Sequence, residues 1–178
     1  AEWIKTCQTW KKRFPLTYPK QGGLRMQHVI ATASKLTGGK AIVTTDVGQH
    51  QMWVAQFFHI NYPRQLHSSG GAGTMGFGFP AAIGAAFGNE TGWPVLSFSG
   101  DGGFQMTIQE LGTIMEQQCP VKMILLNNNY LGNVRQWQYM FFNKRYSFTP
   151  MLNPDYEKIA AGYGIPCRTV VERADLDE

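Results

Sequence analysis

Apolar positions along this chain alternate between two rhythms. Trp3, Ile4, Cys7 and Trp10 fall at helical spacing within Ala1–Phe14. Met26, Val29, Ile30, Ala33 and Leu36 do the same within Arg25–Leu36, and Gly38–Gly39 stop that helix. Pro15, Pro19, Gly22 and Gly23 mark Phe14–Gly23 as a linker or extended arm. Short β-branched or apolar runs predict strands at Ala41–Thr45, Leu66–Ser69, Pro94–Ser99 and Val121–Leu126. The last is apolar except for Lys122, as in a buried parallel strand. Helices are predicted over Gln49–Phe58, over Pro80–Phe87 with proline at its start, and over Met106–Gln118, which Pro120 closes. Further helices are expected at Asn133–Phe142 and Pro154–Tyr163, then a strand at Cys167–Val171 and the beginning of another helix in Glu172–Glu178. Gly100–Gly103 reads as a turn.

Strands and helices thus alternate along nearly the whole chain. That pattern implies an α/β fold, a parallel sheet with helices on both faces. In such sheets ligands bind beyond the carboxyl ends of the strands. Attention therefore falls on four loops that follow strands: Asp46–His50, Gly70–Gly78, Gly100–Phe104 and Asn127–Gly132.

Composition narrows the partners. With 43% hydrophobic and 16% charged residues, the 178-residue chain has the makings of a globular core. The net charge of +4 is not gathered into one face or run; Lys11–Arg13 and Lys144–Arg145 are the only clusters, so no nucleic acid is expected. Three cysteines without CxxC spacing make neither a disulfide framework nor a zinc site, and reduced thiols in a cytoplasmic protein are the simple reading. No stretch approaches the ~18 consecutive apolar residues of a membrane span, so no membrane partner is expected either.

The candidate chemistry starts at Gly100-Asp101-Gly102-Gly103. Glycines between a strand and a helix let the backbone approach an anion, and a helix N-terminus favours one. A carboxylate at Asp101 would repel a bare phosphate, but the two fit together around a divalent cation, and Mg²⁺ takes such mixed protein and phosphate oxygens. Taken singly, the segment is equally a turn bearing an aspartate. About two dozen residues later, at the end of the next strand, comes Asn127-Asn128-Asn129, a source of neutral oxygen on the same rim. Val47-Gly48-Gln49-His50 is a second place where phosphate could dock, Gln49 and His50 being able to donate hydrogen bonds. Ser68–Gly76 is a glycine-rich loop with Met75 set inside it, and Trp137 lies in a segment reading Arg-Gln-Trp-Gln.

The strand–GDG–helix–strand–NN unit resembles the thiamine-diphosphate motif. The QHQMW segment at Gln49–Trp53 and the RQWQ segment at Arg135–Gln138 are similar to the acetolactate synthase (acetohydroxyacid synthase) catalytic subunits. The resemblance implies a thiamine-diphosphate-binding domain over residues 24–178, cut before its true end, with residues 1–23 an arm from a preceding domain. It implies that Asp101, Asn128 and the main-chain carbonyl of Tyr130 hold Mg²⁺. Val47, Gly48, Gln49, His50 and Gly100–Gly103 would surround the diphosphate. Gly73 and Met75 would hold the aminopyrimidine ring in a bent cofactor, and Trp137 would line the substrate site. Asn133 and Gly103 depart from the family, where methionine and serine are usual; this touches substrate preference and phosphate contacts. The implied reaction joins pyruvate to pyruvate or 2-ketobutyrate with loss of CO2, for branched-chain amino acids. The activating glutamate and the FAD expected of the full-length enzyme would lie outside these residues, leaving the chain alone with little synthase activity. A homodimer or tetramer with a regulatory small subunit is implied as well. Three alternatives stay open: another thiamine-diphosphate enzyme (pyruvate oxidase, glyoxylate carboligase or 2-keto acid decarboxylase), a non-catalytic binding module, or an unrelated Mg²⁺-dependent phosphate enzyme.

Overall fold

The computed structural model describes residues 1–177. Its core is a four-stranded parallel sheet: β1 (Ile42–Thr45), β2 (Leu66–Ser68), β3 (Val95–Gly100) and β4 (Val121–Leu126), in spatial order β2-β1-β3-β4. The chain leaves β1 for β2 on one side and then crosses back to β3 on the other. The order therefore reverses between β1 and β3, and at such a switch point the loops after the two strands diverge to leave a crevice.

Alternation along the strands assigns the faces. Val43, Leu96, Phe98 and Leu126 point to one side, where they form a core with Ile30 of α2 (Met26–Leu36) and Val54 of α3 (Gln49–Phe57). Val121, Met123 and Leu125 point to the other. There they meet Phe79 and Ile83 of α4 (Gly78–Phe87), Phe104 of α5 (Asp101–Met106), Leu111 of α6 (Leu111–Gln117) and Ile159 of α8 (Tyr156–Gly162). Helices thus cover both faces, as the alternating pattern implied. α1 (Glu2–Arg13) buries no residue, and α7 (Gly132–Phe141) borders the carboxyl-end rim.

Contact between α4 and β1 is unusually close. A Cβ on Gly78 would sit 2.5 Å from the Asp46 main-chain nitrogen and 2.8 Å from the Thr45 carbonyl carbon. The Gly78 carbonyl in turn accepts from Thr44 Oγ1 (2.8 Å) and Ser97 Oγ (3.2 Å), which satisfies two buried hydroxyls on the α4 face of the sheet.

Three local expectations are corrected. Gly100–Gly103 is not a turn: Gly100 ends β3 and α5 begins at once with Asp101. The single helix expected over Met106–Gln118 is two helices joined by a 3-10 turn at Ile108–Glu110. The break lies at Thr107, whose hydroxyl donates to the Gly76 carbonyl (3.3 Å), so the glycine loop pulls the backbone out of register. Cys167–Val171 forms no strand. The Thr169 N–H goes to Glu157 Oε1 (2.8 Å) on α8 instead of to a neighbouring strand. Beyond it, Arg173–Asp177 is a short 3-10 helix, and Glu178 lies outside the described residues.

The arm after α1 folds back on the domain. The Tyr18 ring meets His28 edge-on at 5.3 Å and Phe57 at 4.8 Å, and the Arg173 guanidinium donates to the Lys20 carbonyl. His28 Nδ1 accepts from the Arg25 N–H (3.2 Å) to cap α2, while its Nε2 is buried without a hydrogen-bond partner among the described residues. Burial holds its pKa below the ordinary value, helped by the charge of Arg173 and less by those of Arg25 and Lys20, and opposed by the Pro19 main chain.

Two outcomes follow from this packing. Gly78→Ala forces backbone against backbone and is expected to cost about 1–3 kcal/mol, read as a lower urea midpoint at unchanged m-value. For His28, the folded pKa lies below the unfolded one, so the unfolded chain binds the extra proton first. Its contribution is complete above about pH 6.5 and is lost as pH falls below that. His28→Gln is expected to flatten the loss of stability between pH 7.5 and pH 5, measured as unfolding midpoints across that range.

Candidate cofactor site at the switch point

The crevice between the ends of β1 and β3 is a cleft built from four segments distant in sequence. Val47, Gly48, Gln49 and His50 come from the β1–α3 turn, and Gly100–Gly103 from the β3–α5 junction. Met75 enters from the glycine loop, and Asn128, Tyr130 and Leu131 from the loop after β4. Apart from Gly73 and Trp137, the structure therefore brings every residue singled out in the sequence around one cavity. Gly73 lies in the exposed stretch of the same glycine loop, outside the cleft lining. Trp137 lies in an adjoining hollow with Gln138, Phe142 and Arg145; Val134 lines both hollows.

The glycines of the cleft are there because side chains would not fit. A Cβ on Gly103 would meet the Asp46 carboxylate at 2.5 Å, and one on Gly102 would meet Leu131 Cδ2 at 2.9 Å. At Gly48, φ is +149°, which L side chains rarely adopt. Three helices, α3, α5 and α7, begin at the cleft, and none of them has a side-chain cap on its N-terminus. Residues of their first turns line the same cleft, and uncapped N–H groups at a helix start favour an anion.

The acidic groups divide the work. Asp46 is fully buried, and its carboxylate accepts from the N–H groups of Val47 (2.6 Å), Gly76 (3.0 and 2.9 Å) and Gly78 (3.3 Å). It ties the glycine loop and the start of α4 to the end of β1. Asp101 is also buried. Its Oδ2 accepts from the Asn129 N–H (2.9 Å) and from Asn153 Nδ2 (2.7 Å); among the described residues no donor is seen on Oδ1. Among the described residues, Asn128 Oδ1 accepts only from the Tyr130 N–H of its own turn (3.0 Å), which leaves a lone pair. Residues 129–131 are held from outside by Thr149–Met151: Leu131 N–H donates to the Thr149 carbonyl (2.9 Å) and Met151 N–H to that of Asn129 (2.8 Å). Neither bond uses the Tyr130 carbonyl.

His50 is buried, and its Nε2 has no hydrogen-bond partner among the described residues. Burial lowers its pKa, opposed by the charge of Asp46, by the Asp46 main chain and by the charge of Asp101. Gln49 Nε2 donates one hydrogen to Gln136 Oε1 (2.7 Å), which joins α3 to α7 and leaves its second hydrogen over.

Two residues of the site escaped the sequence reading. Asp46 was visible as an acidic residue at a strand end, but nothing local distinguished it from an ordinary turn. Asn153 lies far along the chain in an irregular segment, and its only sequence signal is an asparagine before Pro154.

Residues 46–178 match the family described as thiamine pyrophosphate enzyme, C-terminal TPP binding domain. The chain belongs to that family. Its relatives point to one enzyme within it. Over 166 residues it is 47% identical to the acetolactate synthase large subunit of Lactococcus lactis, covering 92% of this chain and 29% of the relative. It is 44% identical over 185 residues to the chloroplastic acetolactate synthase of Arabidopsis thaliana (99% and 28%). It is also 44% identical over 178 residues to the acetolactate synthase large subunit of Pyropia yezoensis (98% and 30%). The chain spans less than a third of the length of these curated relatives.

Removing the buried anchor gives a direct check on the geometry. Asp46→Ala leaves three N–H groups unpaired and is expected to lower stability by about 3 kcal/mol or more. It should also make the Gly70–Gly76 loop the first site of proteolytic cleavage. Asp46→Asn, which keeps the shape, should cost less; both are read from urea unfolding and limited proteolysis.

Proposed function

We propose that this chain is the thiamine-diphosphate- and Mg²⁺-binding domain of an acetolactate synthase catalytic subunit, which condenses pyruvate with pyruvate or 2-ketobutyrate as CO2 leaves. The observation that carries the proposal is the meeting of Asp101 with the Asn127–Asn129 turn beneath three uncapped helix N-termini.

The donor set fits the cofactor. Among the described residues no cluster of three His, Cys, Asp or Glu side chains exists, so a transition-metal cage is not built here. One carboxylate (Asp101), one amide oxygen (Asn128) and the Tyr130 carbonyl are what Mg²⁺ takes when phosphate oxygens complete its shell. His50 Nε2, buried without a protein partner, and the N–H groups of Gly48 and Gly102 suit the oxygens of a diphosphate. Val47 and Gly100 line the cleft beside them, and Gly103 leaves room for the Asp46 carboxylate behind it. Met75 faces the same cleft and would wedge the cofactor, with the Gly73 carbonyl accepting from its amino group. Thiamine diphosphate, when bound, supplies the electron sink for decarboxylation. The protein's part is to orient, to exclude water and to select the acceptor, for which Trp137 in the adjoining hollow is the candidate.

The remaining readings rest on the same relatives. Residues 1–23 would be an arm from a preceding domain and 24–178 the cofactor domain. FAD, the activating glutamate and a regulatory small subunit would belong to the rest of the enzyme, so these residues alone would have little synthase activity. The exposed aromatic face around Trp137, Phe141 and Phe142 would be covered in a homodimer or tetramer. A reducing compartment suits the three unpaired cysteines, and the relatives include chloroplastic and mitochondrial forms. No helix among the described residues is long and apolar enough to cross a membrane.

Calorimetry on the full-length protein tests the binding step. Thiamine diphosphate should bind only with Mg²⁺, and Asp101→Ala or Asn128→Ala should weaken it by about 10–100-fold or more. Acetolactate should be the product from pyruvate. Metal-independent binding, or acetaldehyde or acetyl phosphate as the product, would overturn the assignment.

A further inference from the structure

Asn153 stands outside every motif in the sequence, yet its amide lies at the centre of the rim. Nδ2 lies 2.7 Å from Asp101 Oδ2, 2.8 Å from Asn127 Oδ1 and 3.0 Å from Asn129 Oδ1. An amide nitrogen has two hydrogens, so three oxygens compete for them. The two shorter contacts join the first residue of α5 to the first residue of the asparagine turn, and Asn129 Oδ1 shares the donor at the longer distance. Asn129 sits at φ +60°, in the left-handed region, so the turn holds a conformation that needs outside support.

The amide is itself aimed. Gln105 Nε2 donates to Asn153 Oδ1 (2.8 Å), which fixes the ring of donors with Nδ2 toward Asp101. Gln105 Nε2 also lies 3.3 Å from the Tyr156 hydroxyl and 3.5 Å from the Asp101 carbonyl. The Tyr156 hydroxyl approaches the same Asp101 carbonyl at 3.5 Å. A chain of polar groups thus runs from α8 and α5 through Asn153 to one oxygen of the Asp101 carboxylate. It occupies Oδ2, while Oδ1 has no donor among the described residues and Asp101 and Asn128 line the same cleft.

We infer that Asn153 is a positioning residue for the cation: it clamps Asp101 and the Asn127–Asn129 turn into a single rigid acceptor, with Gln105 as its support. This rests on the Mg²⁺–thiamine-diphosphate reading of the site. It assigns Asn153 no contact with the metal; its effect passes through the orientation of Asp101 and Asn128.

The test uses the full-length protein, with Mg²⁺ titrated at saturating thiamine diphosphate and Mn²⁺ as a spectroscopic probe of the same site. In Asn153→Ala the Kd for the cation is expected to rise by about 10–100-fold, and the Mn²⁺ resonance to broaden as the ligand geometry loosens. The thermal midpoint without cation should change little, while the rise in midpoint on adding cation and cofactor should largely disappear. Gln105→Met, which keeps the volume and removes only the support, should weaken the cation in the same direction by a smaller factor, and it keeps the test open if Asn153→Ala fails to fold. Cation affinity within twofold of wild type in both variants would overturn the inference, as would equal loss of stability with and without cation, the mark of a purely structural role. If the unaltered protein shows no Mg²⁺-dependent binding at all, the reading of the site fails rather than the role of Asn153 within it.

Discussion

The carboxylate of Asp46 is the constraint on which the cleft depends. A fully buried charge is costly unless hydrogen-bonded, and here backbone N–H groups from three places meet it. Because those donors belong to the β1–α3 turn, the glycine loop and the start of α4, one side chain sets the relative placement of three segments. Gly103 packs against the same carboxylate, which brings α5 into the arrangement. Neutral turn residues could close each loop separately, but they would not lock them to a common centre.

Around that centre the cleft has a clear division of charge. Helix N-termini and backbone N–H groups supply positive potential, while Asp101 supplies a negative oxygen at the edge. An anion alone would meet Asp101 unfavourably, and a cation alone would meet the helix ends unfavourably. The mixed signs suit the cation–polyanion pair proposed for the cleft, and the family to which the chain belongs is described as binding thiamine pyrophosphate.

How much of this could be read in advance depended on range. The parallel sheet and its two helical layers were legible because strand and helix periodicities alternate cleanly along the chain. That Asp101 and Asn128 share one cleft was legible from the strand–GDG–helix–strand–NN unit, which sets both at the ends of neighbouring parallel strands. The break at Thr107 was not, since it comes from a hydroxyl meeting the Gly76 carbonyl, a contact between segments 31 positions apart. Cys167–Val171 has β-branched Thr169, Val170 and Val171, but strand preference needs a neighbour to pair with, and the Thr169 N–H finds Glu157 first. The roles of Asp46 and Asn153 were invisible for the same reason: each is defined by partners supplied by the fold, not by its sequence neighbours.

The rim is assembled from segments that begin at Asp46 and finish at Asn153, with little of it local. During synthesis from the N-terminus, β1 and its turn emerge early, whereas the amide that meets Asp101 emerges last. Contacts of such long sequence separation form late and together. The last contact of the rim to become available is thus contributed by the final third of the chain, where Asn153 lies.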